Sequence, residues 1–372
     1  MRRWLVTLLL AALPLTAFAA RPPAIVPAST ETIIEILPRG YAALAPNPGK
    51  HPASLAQVAT LLTAAARTGD ARLATRADAL LAQFPAGDSS PELLRARAFS
   101  AQHRHDFPAA LKLLDALVAS QPRDGDARLS RAQIHLVQGR LDLARADCAA
   151  LAFGVDAGRG LLCVTALSLR DGKLSTAAAM SDRWLAQAPP ADPSRRFVML
   201  TRAEISARSG AVDADAWFRR ALAPAPDDVR ILAAYSRFLR SVGRNADSLH
   251  LLAPAANTDG LQLERALAAK ATNATNAAAL ARSQARRYQL AHDLGSQPEL
   301  RDEAEFELTL RGDANAALAL AQKNFTQQRD FEDVNLLIRS ANAAGNPQAL
   351  DELRRWAQTQ HLSLPAAAGA TR

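Results

Sequence analysis

Aromatic residues make up only 5% of the 372-residue chain and glycines number 17, while alanine, leucine and arginine dominate and β-branched residues are thinly spread. That balance leaves little for a β-sheet to pack and is the composition of a helix former. Long apolar runs are equally scarce. The one near the start, Trp4 to Leu15, is shorter than the ~20 residues a spanning helix needs. It follows Arg2 and Arg3 and precedes Ala17-Phe18-Ala19, which puts small residues at the two positions a signal peptidase reads. These features predict a signal peptide over residues 1–19, cleavage after Ala19, and a mature chain without a membrane span in a periplasm. No cysteine lies near that site, which argues against acylation as a lipoprotein.

Lysine is nearly absent as well. Of 44 basic side chains only five are Lys, and the formal net charge is +8. An arginine bias of this kind fits GC-rich codon usage better than selection for nucleic acid, so no nucleic-acid partner is expected. Anionic envelope polymers are compatible with the charge. Catalytic signatures are missing too: there is no phosphate-cradling glycine loop, no Gly-x-Ser-x-Gly elbow and no His-Glu-x-x-His helix. His103-Arg104-His105-Asp106 is the densest group of possible metal ligands, but an ordered site needs three or four converging ligands. The sequence therefore predicts no catalytic site, no metal and no cofactor.

What is present is a repeat. Gly or a near substitute recurs at Gly69, His105, Gly139, Gly172, Gly210, Gly243, Asn273, Gly312 and Gly345, with a mean step of 34.5 residues. A small residue follows each marker by four or five positions: Ala74, Ala110, Ala144, Ala177, Ala214, Ser248, Ala278, Ala317 and Ala349. Another precedes it by seven, as Ala98, Ala132, Thr165, Ala203, Ser236 and Ala266. Small residues at such positions let two helices approach closely. Pro85, Pro122, Pro189 and Pro226 stop the second helix of four copies, and Gly at the marker suits a helix end that needs a left-handed residue.

This pattern resembles the tetratricopeptide family, whose period is ~34 residues. In that family the marker is position 15 and the small residues are positions 8 and 20. The best copy runs from Pro91 to Asp124, with Leu94, Ala98, Ala101, Ala110, Leu114, Leu117 and Pro122 on pattern positions; Ala214, Phe218, Ala221 and Pro226 form another. The usual Trp and Tyr at positions 4 and 11 are missing, and the seventh and eighth copies are weak. Through Asp147-Cys148 and Leu162-Cys163 the chain also resembles exported proteobacterial tetratricopeptide proteins. The resemblance implies an all-α, right-handed superhelical solenoid of about nine degenerate helix pairs over residues 53–362. A proline-rich segment, 20–52, precedes it, and a disordered tail, 363–372, follows. Within the segment, Glu31 to Leu37 carries Ile33, Ile34, Ile36 and Leu37, an apolar patch expected to dock on the array.

The resemblance further implies a concave groove lined by positions 2, 5, 9 and 12 of each first helix. Counted from the markers, those positions hold Arg95, Phe99 and Gln102 in the second copy and Arg237 and Arg240 in the sixth. In the ninth copy they hold Asn335, Arg339 and Asn342. Arg offers a planar fork for carboxylates, and Asn can pair with both groups of a peptide bond. The expected function is a non-catalytic protein-binding scaffold or adaptor holding a peptide or protein partner in the envelope. The alternative is an anionic polysaccharide bound during envelope assembly or export.

The two cysteines, Cys148 and Cys163, fall on helices that pack across a repeat boundary, and export would place them in an oxidising compartment. They are expected to form a disulfide. Closing a loop of that length contributes about 3 kcal/mol in the chain-entropy model. Replacing both cysteines by Ala should therefore lower the unfolding free energy by about that amount, measured by denaturant titration. Two reactive thiols in natively purified protein would reject the bridge.

Overall fold

The computed structural model describes residues 54–364 apart from 193, 256, 294–297 and 363. The signal-type start, the Glu31 to Leu37 patch and nearly all of the tail lie outside the described residues. Within them the chain forms eighteen α-helices and no strand. They pair as nine hairpins: α1 (Leu55–Thr68) with α2 (Ala71–Leu81), α3 (Pro91–His103) with α4 (Phe107–Ser120), and α5 (Gly125–Val137) with α6 (Leu141–Ala150). Next come α7 (Ala157–Arg170) with α8 (Leu174–Gln187), α9 (Arg195–Arg208) with α10 (Ala214–Leu222), and α11 (Val229–Ser241) with α12 (Asn245–Leu252). The last are α13 (Asp259–Ala271) with α14 (Ala277–Asp293), α15 (Leu300–Glu305) with α16 (Ala314–Phe325), and α17 (Phe331–Ala343) with α18 (Pro347–Thr359). Short π-helical turns extend α6 over Leu151–Val155 and α15 over Phe306–Arg311.

Local chemistry starts and stops these helices. Asp70, Asp106, Asp124, Asp156, Asp228 and Asp313 each accept a hydrogen bond from a backbone N–H of the helix they precede, satisfying donors the first turn leaves unpaired. Asp330 and Asp333 form a reciprocal capping box on α17. At the other end of each first helix the marker adopts positive φ in all nine copies, including His105 (φ 58) and Asn273 (φ 53) where glycine is replaced. The left-handed turn is thus a requirement of the hairpin, and two non-glycine residues meet it despite the steric penalty.

The small residues do what their spacing predicts. Ala98, Ala132, Thr165, Ala203, Ser236 and Ala266 are all buried, as are eight of the nine on the second helices. Ala278 is the exception: it is exposed, and the buried face of α14 is made by Gln284 and Tyr288. Ala278 falls in the first turn of α14, outside the face that Gln284 and Tyr288 bury. Between hairpins the cores are continuous. Phe218 of α10 stacks with Tyr235 and Phe238 of α11 at 5.2 and 5.1 Å between ring centres. Fully burying such a ring is worth about 1.5–3 kcal/mol. Cys148 and Cys163 are bonded, with Cα atoms 5.2 Å apart, joining α6 to α7. Beside them Gly160 lies so close to Ala152 that a Cβ would fall 2.4 Å from its Cα.

The superhelix also closes on itself. The turn edges of the first four hairpins meet the ends of the last four. Arg67 pairs with Asp227. His105 Nδ1 lies 3.3 Å from Glu299. The Arg329 backbone N–H donates to the Val137 carbonyl at 2.7 Å, and Arg170 Nη2 donates to the carbonyls of Leu136 and Arg329 at 2.7 and 3.1 Å. Leu362, beyond α18, packs against Leu136, Leu141 and Leu167.

A pair of glycine variants separates the cost of the turn from the cost of this seam. Gly172 (φ 73) has nothing within 4 Å of a built Cβ, so Gly172→Ala should cost only the left-handed penalty, about 1–2 kcal/mol. At Gly139 (φ 70) the same Cβ would fall 2.9 Å from the indole of Trp356, on the opposite side of the seam. Gly139→Ala should therefore lose about 1–3 kcal/mol more, the cost of overpacking, by chemical denaturation. Equal losses for the two variants would mean that the seam does not contribute to stability.

Candidate functional site: the first-helix face

Closure grades the first-helix face from open to enclosed. On α1, Ala56, Ala59 and Thr63 are exposed, and on α5 Gln133 is exposed. At the same position 9, Ala166 on α7 and Glu204 on α9 are half-buried. The reason is the seam: Arg208, at the end of α9, lies over the ring of Phe331 at 4.0 Å, so the ninth hairpin covers the concave side of the fifth.

The eight residues picked by position fall into three places. Arg95, Phe99 and Gln102 share α3 on the open part. Phe99 is 39% exposed, Gln102 is half-buried, and Arg95 Nη2 donates to Asp124 at 2.5 Å. Arg237 and Arg240 both face Glu264 of α13: Arg240 Nε lies 2.8 Å from its carboxylate and Arg237 Nη1 lies 3.9 Å away. Glu264 also accepts from Ser236 at 2.8 Å. Arg339 forms a two-pronged contact with Glu305 at 2.7 and 3.0 Å and reaches Thr309 at 3.2 Å, while Asn335 is half-buried and Asn342 exposed beside it. The structure therefore brings the arginines of the sixth and ninth copies onto carboxylates of neighbouring first helices, and leaves the α3 trio apart.

Nine hairpins, each with a left-handed residue at its marker, six with a buried small residue on the first helix and eight with one on the second, decide the fold. It is a tetratricopeptide-type solenoid. No family model matches the sequence, and no curated protein matches it. Solved tetratricopeptide-repeat structures do match the fold. The human IFIT1 dimer with PPP-AAAA superposes with a TM-score of 0.52 at 15% identity, over 82% of this chain and 71% of that one. The Cut9–Hcn1 hetero-tetramer of APC/C gives a TM-score of 0.52 at 14% identity, over 84% of this chain and 61% of that one. At such identity the likeness is one of fold.

In this tetratricopeptide solenoid the same position rule points to three acids that arginine-centred reasoning passed over: Glu204 at position 9 of the fifth copy, Asp302 at position 5 of the eighth and Glu332 at position 2 of the ninth. Glu204 keeps some solvent contact although protein surrounds it, as for a carboxyl opening onto a narrow interior. Burial pushes its pKa up to about 7, with Arg237 and Arg208 opposing and Glu332 and Asp330 adding to the rise. Burial likewise raises Asp302 to about 6, Arg301 and Arg237 opposing, Glu299 and Glu264 reinforcing. Glu305 is the contrast: burial works against its charge, but the Arg339 hydrogen bonds override it and hold the pKa low. A neutral carboxyl donates as well as accepts, so the interior face carries donors, acceptors and both signs of charge. That set suits a peptide backbone. Among the described residues no three potential ligands converge as a metal site would require. His105 serves instead as a turn marker stacked on Phe107, 5.5 Å between ring centres.

The raised pKa of Glu204 sets a pH dependence. Between its unfolded value of about 4.3 and the folded value of about 7, the folded chain binds the extra proton. The stabilisation is complete below that window and is lost as pH rises through it. Glu204→Gln, which stays neutral, should melt at the wild-type temperature near pH 4.5 and about 2–4 °C higher at pH 8. Parallel melting curves for the two proteins across that range would show that the carboxyl is not enclosed.

Proposed function

We propose that the protein is a non-catalytic scaffold that holds a peptide or protein partner against its first-helix face, outside the cytoplasm. The fold is that of the Cut9–Hcn1 hetero-tetramer, a protein–protein assembly, and the mixed donors and acceptors along the face support a peptide ligand. The observation that carries the reading is Phe99: an aromatic ring, 39% exposed, flanked by Arg95 and Gln102 on the stretch of first-helix face that closure leaves open. Aromatic and arginine side chains are the usual anchors of an interface. Arg237, Arg240, Asn335, Arg339 and Asn342 extend the same face inward. The signal-type start and the Cys148–Cys163 bond support a periplasmic location. An anionic polysaccharide would need free arginines, whereas Arg240 and Arg339 are already neutralised by Glu264 and Glu305.

A photo-cross-linker placed at position 99 in intact cells should yield a defined protein adduct, identified by mass. The same group at position 153, where Phe153 is 91% exposed away from this face, should not. Phe99→Ala should weaken capture of that partner by about tenfold or more, the scale of a hot-spot residue, without changing helicity. Equal adducts at both positions, or undiminished capture by Phe99→Ala, would move the binding surface off α3.

A further inference from the structure

Where the seam joins the third, fourth and fifth hairpins to the ninth, it leaves a small, partly open cavity. Arg170, Arg208 and Arg329 line it together with Asp330, Phe331 and Trp356. Its volume is about 40 Å³, whereas one water needs ~10–15 Å³ on the same measure, so it has room for a few heavy atoms. The walls contributed by Leu141, Val334 and Leu362 are apolar.

The three guanidinium groups differ from the other arginines described above. Arg95, Arg240 and Arg339 each hold a carboxylate. Among the described residues none of Arg170, Arg208 and Arg329 does. Arg170 donates to two backbone carbonyls. Arg329 Nε donates to the Phe325 carbonyl at 2.9 Å, and its guanidinium lies over the Phe325 and Trp356 rings. Arg208 has the face of Phe331, and its buried Nε has no acceptor; the buried indole Nε1 of Trp356 has none either. Asp330 is the one carboxylate lining the cavity. It is engaged elsewhere, by Arg301 at 3.2 Å and by the N–H groups of Glu332 and Asp333. Burial accordingly pushes all three guanidinium pKa values below the usual arginine value.

Three half-buried positive charges with one already engaged counter-charge are costly. Donors left unpaired beside a void mark the place where an acceptor is missing. We propose that this cavity binds one small tetrahedral oxyanion of the phosphate class, held by Arg170, Arg208 and Arg329, and that the bound anion fastens the two ends of the superhelix together. Arg170 and Arg208 come from the fourth and fifth hairpins, and Arg329 from the loop before the ninth. An anion shared among them therefore bridges segments more than 120 residues apart in sequence. Arginine is suited to this by its fork of parallel N–H donors.

The test uses the full chain in chloride buffer, titrated with inorganic phosphate at constant ionic strength. Calorimetric binding with a stoichiometry of one and a Tm that rises with phosphate concentration are expected. Hydrogen exchange at the Arg329 amide, which crosses the seam to Val137, should slow in parallel. Arg208→Gln and Arg329→Gln, on opposite sides of the seam, should each weaken phosphate binding by about tenfold or more, the scale of a lost charge-assisted contact. Arg145→Gln removes an outer-surface pair with Asp171 and should leave binding unchanged. Glycerol phosphate distinguishes the source. Binding as tight as inorganic phosphate would mean the site takes a phosphate carried on a larger molecule, and its exclusion would mean a free ion. No saturable heat and no Tm rise beyond chloride would overturn the proposal, as would equal phosphate affinity in wild type and both Gln variants.

Discussion

Everything in this molecule rests on how closely two helices can approach at their crossing. Residues such as Ala98 on α3 and Ala110 on α4 present a methyl group each, both at most 2% exposed, and backbones can then lie near the lower limit of helix spacing. Close crossing makes each hairpin flat and leaves an apolar face that one hairpin cannot bury alone. Stacking is the consequence, and a constant small rotation per stack makes a superhelix. Where the small pair is lost, at exposed Ala278, the hairpin is held by other means: Tyr288 packs with Leu263 and Leu267 of α13, and Gln284 is fully buried.

Superhelical closure changes what the concave face is. In an open array it would be a solvated trough in which long arginines reach for a ligand. Here the ninth hairpin returns over the fifth, and first-helix side chains of neighbouring copies must neutralise one another. Arg240 with Glu264 and Arg339 with Glu305 link the first helices of successive copies. Removing one partner of such a half-buried pair would strand the other. These arginines are consequently part of what holds adjacent copies in register, and the accessible recognition surface shifts towards α3.

The same closure explains why charges behave differently at neighbouring points. Glu305 is kept ionised by Arg339, whereas Glu204 meets Arg237 and Arg208 only across intervening space and shares its surroundings with Glu332. Desolvation wins where no direct hydrogen bond opposes it. At the seam the imbalance has the opposite sign, with guanidinium groups outnumbering carboxylates around one small void.

The hairpins were legible in the sequence because each depends on a handful of local requirements at fixed spacing. Nine markers took the left-handed conformation, His105 and Asn273 among them, and the two cysteines were placed on facing helices by the same count. Inner-face positions such as Glu204 and Asp302 could have been found from position alone. Their altered acidity could not, because it arises first from burial, and for Glu204 also from Asp330 and Glu332, more than 120 positions away. Partner choice for Arg240 and Arg339, the covering of the fifth hairpin, and the cavity between Arg170, Arg208 and Arg329 were likewise decided by tertiary structure. Repeat spacing fixes the geometry of one step. Small rotations accumulate over several such steps before the two ends meet, and a periodic sequence pattern carries no direct record of that sum.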